Sequence, residues 1–309
     1  ISTSLQHYAP RIQDNIFENL LLLKWLKQKG NVKILRGGRN IILPVQYAKN
    51  TNAEAYSGWG LLSSTATQEF NDAEFDVRQY SVPIMINGLE EFQNQAEWQV
   101  VDLLEARIKS AEMSLMDVMN TDAFAAQTGN KLDGLQTLVA DAGTGTVADI
   151  DSSTATWWQN KKYQTVGSFA ANGITKMRQL YNDCSFGTDQ PDLIITTQAA
   201  FEFFEVTMET RENYLYVGPD GKAGNFGFAA LSWHTKPVFF DRACGSGRMY
   251  MLNSKHLYFY MAEGKDFKTT PFVPTLVNNQ DGRVARIFVY GNLCTDGRRY
   301  QGVLSGITA

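Results

Sequence analysis

The stretch 88–128 constrains this chain more than any other, because it reads as one long helix. Apolar side chains recur at Leu89, Phe92, Ala96, Val100, Leu104, Ile108, Ala111, Leu115 and Met119, a three-and-four spacing that keeps one stripe on one face. No proline interrupts it, Glu105 precedes Lys109 at the favourable four-residue offset, and Gly129 supplies a C-terminal stop. At 1.5 Å per residue such a helix reaches roughly 60 Å, more than the diameter of a compact domain. A coiled coil is one explanation, but Gln93 and Arg107 fall near its seam. The other is a spine, a helix laid across a sheet and loops drawn from elsewhere in the chain.

The residues before it prepare an arm. Residues 1–10 have little periodicity. Asp14 or Asn15 can cap a helix running to Lys29, with Ile16, Leu20, Leu23 and Lys27 on one side, Phe17, Leu21 and Trp25 widening the apolar arc, and Gly30 ending it. An arc that wide packs on its own domain or on a neighbouring subunit. Strand patterns follow at 41–48 and 75–86, each holding a proline, Pro44 and Pro83, which suits edge or two-stranded ribbons. Between them 49–72 is rich in Asn, Ser, Thr, Ala and Gly. A connection that long without a core is uncommon inside a compact domain, and a two-stranded arm is marginal alone. The natural support is another copy of the chain.

Beyond the helix the pattern is mixed α+β. A helix is expected over 163–185, with Ile174, Met177, Leu180, Tyr181 and Cys184 as its stripe, then a buried strand at 192–197 and a helix at 198–210. Residues 214–228 read as an exposed loop, and strands are expected at 231–241, 249–252 and 257–261. Asp296-Gly297 reads as a hairpin turn joining 284–294 to 299–304.

Candidate chemistry is sparse. His7, His234 and His256 stand apart without ligand spacing, Cys184, Cys244 and Cys294 are odd in number and scattered as in a cytoplasmic protein with reduced thiols, and no nucleophile elbow is present. Asp149 and Asp151 read as turn or cap residues. A net charge of -4 excludes a protein that neutralises nucleic-acid phosphates over a wide face. No apolar run, that at 20–23 included, is long enough to span a bilayer. No catalytic residue, cofactor or metal is expected.

One segment is more specific. Leu132-Asp-Gly-Leu-Gln-Thr-Leu138 is followed by a "GTGTVADID" stretch from Gly143 and by "STATWWQN" ending at Asn160. Gly143 and Gly145 lack the lysine and Ser/Thr of a phosphate cradle, and Trp157 and Trp158 read as packing anchors rather than stacking platforms for bases. Placed directly after a long helix, these motifs resemble the major capsid proteins of tailed bacteriophages. Arg36-Gly-Gly-Arg39 leading into 42–48, Pro191-Asp-Leu-Ile-Ile-Thr-Thr197 and Ser246-Gly-Arg-Met-Tyr-Met-Leu252 extend the resemblance over most of the chain. A second glycine and a basic residue expected after the aspartate in many relatives are missing from "VADIDSSTATWW".

The resemblance implies an α+β, Hong Kong 97-type capsid fold. Its parts would be an N-terminal arm and helix at 1–30, an extended β-hairpin loop at 31–81, and a peripheral domain at 82–164 with its spine helix at 88–128. An axial domain would follow at 165–267, with a return to the peripheral domain at 268–309. It implies a subunit that builds pentamers and hexamers of an icosahedral shell around double-stranded DNA, assembled in the bacterial host cytoplasm and resident in the virion. Implied partners are further copies, portal, scaffolding and decoration proteins, and DNA as a non-specific neighbour, with no membrane. Candidate inter-subunit contacts are Arg36, Arg39, Trp25, Tyr56 and Trp59. The alternatives are an encapsulin-like nanocompartment shell and a soluble α+β enzyme.

Overall fold

The computed structural model describes residues 21–62, 64–93, 97–209, 231–274 and 281–308. The expectations for 1–20 and for the glycine-rich loop at 214–228 lie outside them. Helix α1 (Leu21–Gln28) leads into β1 (Val32–Leu35), a ribbon of β2 (Asn40–Gln46) and β3 (Phe70–Asp76), and β4 (Arg78–Asn87). Helices α2 (Gly88–Gln93), α3 (Glu97–Phe124) and the short α4 (Leu135–Leu138) follow. Next come β5 (Thr146–Val147), β6 (Ile150–Asp151), β7 (Lys161–Tyr163), β8 (Gly167–Ser168), α5 (Ile174–Cys184), β9 (Leu193–Thr196) and α6 (Gln198–Glu209). The remaining strands are β10 (Leu231–Trp233), β11 (Lys236–Phe240), β12 (Met249–Leu252), β13 (Leu257–Ala262), β14 (Lys268–Thr269), β15 (Val273–Pro274), β16 (Gly282–Thr295), β17 (Gly302–Leu304) and β18 (Ile307–Thr308).

The expected spine is helical over 88–93 and 97–124, and it ends four residues before the predicted Thr128. The end is set by the motif that follows. A Cβ on Gly134 would lie 2.2 Å from the Asp122 carbonyl oxygen and 2.3 Å from that of Ala125, so only glycine lets the loop close over the last turn. Tyr80 on β4 clamps the same place, its hydroxyl donating to Asp122 at 2.9 Å and accepting from the Leu132 amide at 2.9 Å.

Two six-stranded sheets form the body. In the first, the 14-residue β16 pairs antiparallel with β4, β13, β14 and β15, and β1 joins β13 in parallel. In the second the order is β10-β11-β9-β12-β17-β7. These pairings redraw the expected divisions. Residues 32–35 and 78–81 belong to the first sheet rather than to the extended loop, and 257–262 join it rather than an axial unit. The chain's end, 302–304, enters the second sheet between β12 and 161–163. The anticipated hairpin at Asp296-Gly297 is absent, because a 3-10 turn at Arg298–Tyr300 sends β16 and β17 into different sheets. The tight reversal lies instead at His234-Thr235, both at positive φ, between β10 and β11.

The second sheet partitions two cores. Leu193, Ile195, Tyr250, Leu252 and Val303 face the larger core, which also holds the spine and first sheet. Their neighbours Ile194, Met249, Met251 and Leu304 face the smaller one with α5 and α6. Strands covered on both faces read as unbroken apolar runs, which is why 193–196 and 249–252 carry no polar alternation.

Arg298 joins the parts. It is fully buried, and its guanidinium donates to the Leu138 carbonyl at 2.7 Å, Ser152 Oγ at 3.3 Å and Asn160 Oδ1 at 3.0 Å. Three acceptors spread over 138–160 thus converge on a single cation. Burial pushes its pKa down to about 10, so it stays charged at neutral pH. Replacing Arg298 with Met would leave three buried acceptors without a donor, an expected loss of about 3 kcal/mol in denaturant unfolding, whereas an unchanged midpoint would refute the anchoring role.

Glu112, on the buried face of α3, is 3 % exposed, and its Oε1 has no hydrogen-bond partner among the described residues. Burial raises its carboxyl to about 7, only partly offset by Lys109. Because the folded value exceeds the unfolded one, stability is full below about pH 4.5 and declines as pH rises through 7, by about 3 kcal/mol once ionisation is complete. Thermal midpoints should therefore fall between pH 5 and 8, and Glu112→Gln should flatten that slope.

Candidate assembly surfaces

The ribbon is anchored along one face. Ile41, Leu43, Val45, Ala73 and Phe75 are buried in the larger core. Asn292 donates to the Asp76 carbonyl at 2.8 Å and to Asp133 at 2.7 Å, tying the ribbon's base to the loop beyond the spine. Burial raises the Asp133 carboxyl, while the Asn292 hydrogen bond opposes that shift. At the other end Tyr47 stacks on Trp157 with ring centroids 5.1 Å apart.

Pro44 occupies the position a ribbon allows. The Tyr47 amide donates to Glu69, so odd-numbered residues of β2 bond towards β3 while Pro44 faces the open edge. There a missing N–H breaks no ladder bond and discourages unwanted pairing.

Past Lys49 the chain runs largely exposed. Tyr56 is 67 % exposed, Trp59 102 % and Leu61 99 %, with Leu62 also exposed. Large apolar side chains this exposed and this close in sequence mark an interaction surface rather than ordinary scatter. Tyr56 and Trp59 thus lie where an inter-subunit contact could reach them.

The other candidates divide. Arg36 is 84 % exposed and sits 3.4 Å from the exposed Glu263 of its own chain, a pair worth little in water. Arg39 is exposed near the ribbon's start. Trp25 was expected at a contact, but it is 3 % exposed and packed with Leu22, Leu23 and Leu26 in the subunit's own core. The apolar arc of α1 is wide because the helix is enclosed by the body. The five residues do not converge on one site.

Trp158 is buried and donates from Nε1 to the Val147 carbonyl at 3.0 Å, and Trp157 supports the ribbon through Tyr47, so both tryptophans are packing anchors. Asp151 accepts from the Ser153 amide at 2.8 Å as a turn residue. The three thiols are buried, and burial pushes that of Cys244 up to about 12.

One polar cluster escaped the sequence reading. His256 stacks on Tyr300 at 3.8 Å, with its Nδ1 2.8 Å from Asp296, beside a cleft of about 630 Å³ that also touches Tyr47, Trp157 and Arg299. Arg299 lies over both Phe186 and Tyr300, with its guanidinium carbon 4.4 and 4.8 Å from the ring centroids. These contacts knit the turn after β16 to Tyr47 at one end of the ribbon, and Asp296 also accepts from the Tyr258 hydroxyl at 3.1 Å. Its residues come from 44–49, 157–158, His256 and 296–300, a convergence that no local spacing announces.

No known family's sequence pattern matches the chain, and no curated protein sequence does. Solved structures match across nearly its whole length. The cyanophage A-1(L) capsid is 15% identical, with 92% of this chain and 93% of that one covered at a TM-score of 0.65. The capsid of a native GTA particle is 9% identical, covering 92% and 90% at 0.65. The holo-SrpI encapsulin complex of Synechococcus elongatus is 10% identical, covering 92% and 87% at 0.56. The chain has the Hong Kong 97-type fold, an α+β architecture shared with these shells.

Burial alone separates two tryptophans. Trp25→Ala should cost about 3–5 kcal/mol of subunit stability, whereas Trp59→Ala should change it by less than about 0.5 kcal/mol, both read from chemical denaturation.

Proposed function

We propose that this chain is the major capsid protein of a tailed bacteriophage, assembling through pentamers and hexamers into an icosahedral shell around double-stranded DNA. The observation that carries the reading is the ribbon. Its one apolar face is already consumed by its own core, yet its far end presents Trp59 and Leu61 to solvent. Such a tip finds its cover on a neighbouring subunit. The fold supports the same reading, since each shell protein compared above is matched over 92% of this chain.

Assembly then rests on several modest contacts. Each must offset lost translational and rotational freedom, and closure into rings makes them act together. Portal, scaffolding and decoration proteins are the further partners of such a shell, and the bacterial cytoplasm is where it would form. An encapsulin-like compartment is the second reading, favoured by the likeness to the holo-SrpI encapsulin complex. The two part on contents, DNA in one and protein cargo in the other. Neither requires catalysis by this chain.

Light scattering and negative-stain imaging of freshly expressed protein should find rings or closed shells, and a concentration-independent monomer would contradict the proposal. Arg36→Ala combined with Arg39→Ala should leave the subunit's melting temperature unchanged while lowering shell yield. Normal shells would remove the two arginines from the contact set.

A further inference from the structure

A polar cleft of about 350 Å³ lies past the end of α1, where separate parts of the chain meet. Its volume is that of a small-molecule site. Lys29 follows the helix, Lys236 opens β11 after the reversal at His234-Thr235, and Lys255 stands in the 3-10 turn between β12 and β13. Gln190 and Asp192 line it from the approach to β9, and Asn253 from the end of β12.

The acceptors of this cleft are spent. Asp192 takes the Ser254 amide at 2.8 Å and the Ser254 hydroxyl at 2.5 Å, with Lys29 Nζ 3.4 Å away. The Asn253 carbonyl accepts from Gln301 Nε2 at 3.0 Å, and the Ser254 carbonyl accepts from Asn31 Nδ2. Donors and positive charge are left over. Lys255 pairs with Asp189, whereas Lys236 has no ion pair among the described residues, so three ammonium groups meet two carboxylates in a chain of net charge -4. Asn253 is 1 % exposed, and its Nδ2 has no hydrogen-bond partner among the described residues. Its Oδ1 accepts from the Lys255 amide at 3.1 Å, and because a backbone amide can only donate, that bond fixes which end of the side chain is the donor. Gln190 Oε1 accepts from Tyr181 at 3.0 Å, which leaves its Nε2 as a further donor. A buried donor without an acceptor is costly, and it calls for a group that supplies one.

We propose that this cleft binds a phosphate group, with Lys236 as its chief cation, Lys29 and Lys255 beside it, and the side-chain amides of Asn253 and Gln190 as neutral donors. A metal ion would find no unspent carboxylate there. A planar carboxylate is best matched by the fork of an arginine, and none lines the cleft among the described residues. Lysines act as point charges, and donors arriving from separate segments suit the tetrahedral oxygens and near-double charge of a phosphate. The same chemistry is offered by inorganic phosphate, by a nucleotide and by the backbone of DNA. Recognition here concerns a single phosphate, not the wide basic face that the net charge excludes, and it holds whether or not the chain builds a shell.

Equilibrium dialysis of radiolabelled inorganic phosphate against the full-length chain, at fixed ionic strength and neutral pH, tests this. The parent should retain phosphate saturably, near one per chain, and acetate should not displace it. Lys236→Ala should weaken retention by about tenfold, Lys236→Arg should keep it, and Lys176→Ala, far from the cleft on α5, should leave it unchanged. Thermal melting in phosphate-free buffer checks that each variant is folded, and Lys236→Gln replaces the alanine variant if that one is not. Displacement by adenosine monophosphate but not by a short DNA duplex identifies a small phosphate compound as the ligand. Displacement by the duplex as well, lost together with phosphate binding in Lys236→Ala, identifies the DNA backbone. Absence of saturable retention, retention unaltered in a folded Lys236 variant, or acetate competing as well as phosphate overturns the proposal.

Discussion

A buried cation that meets no carboxylate among the described residues organises much of this fold. Moving a guanidinium out of water is costly, and the cost is met here by three neutral oxygens from Leu138, Ser152 and Asn160. Lysine could not reproduce this, because its donors radiate from one nitrogen, while the planar fork of arginine reaches acceptors on separate segments. The oxygens lie before, within and after the irregular stretch between the spine and the second sheet. With few strands of its own, that stretch takes its shape from a residue that arrives some 140 positions later.

Around this anchor, two sheets divide the labour. The first carries the spine on one face and is open on the other, so its strands alternate between apolar and polar residues. The second is covered on both faces and does not alternate. The ribbon is continuous with the first sheet through β3 and β4, with Val77 between them. It is held by the body at both ends, through Asp76 and through Tyr47, while the segment beyond it carries the exposed Tyr56, Trp59 and Leu61.

Local patterns were legible where a single periodicity decided the outcome. The spine, the ribbon with its outward proline, and the buried strand at 193–196 follow from spacing and composition, whereas the need for glycine at 134 appears only in its close approach to the Asp122 and Ala125 carbonyls. Long-range pairing was not legible. Asp296-Gly297 carries the local chemistry of a hairpin, yet the need to bury Arg298 turns the chain into another sheet. Residues 257–262 read like strands of a later domain, but their register with β16 decides where they belong. Trp25 illustrates the same limit, since a wide apolar arc states that a helix is enclosed without stating by which chain. Of the surface candidates, Tyr56 and Trp59 lay in a segment too long and too polar to fold on itself, and that anomaly was their signal.

The span of β16 has a consequence in time. It pairs over ten residues with β4, which was synthesised roughly two hundred residues earlier, and no nearer strand can take its place at the centre of the first sheet. Chains emerge from the ribosome N-terminus first, and contacts of such separation must overcome a large loop-closure entropy. The ribbon and spine therefore exist before the sheet that gives them a base. The exposed apolar tip cannot be held in a defined direction until residue 295 has been made, so any contact it makes with another chain would await the completion of its own sheet.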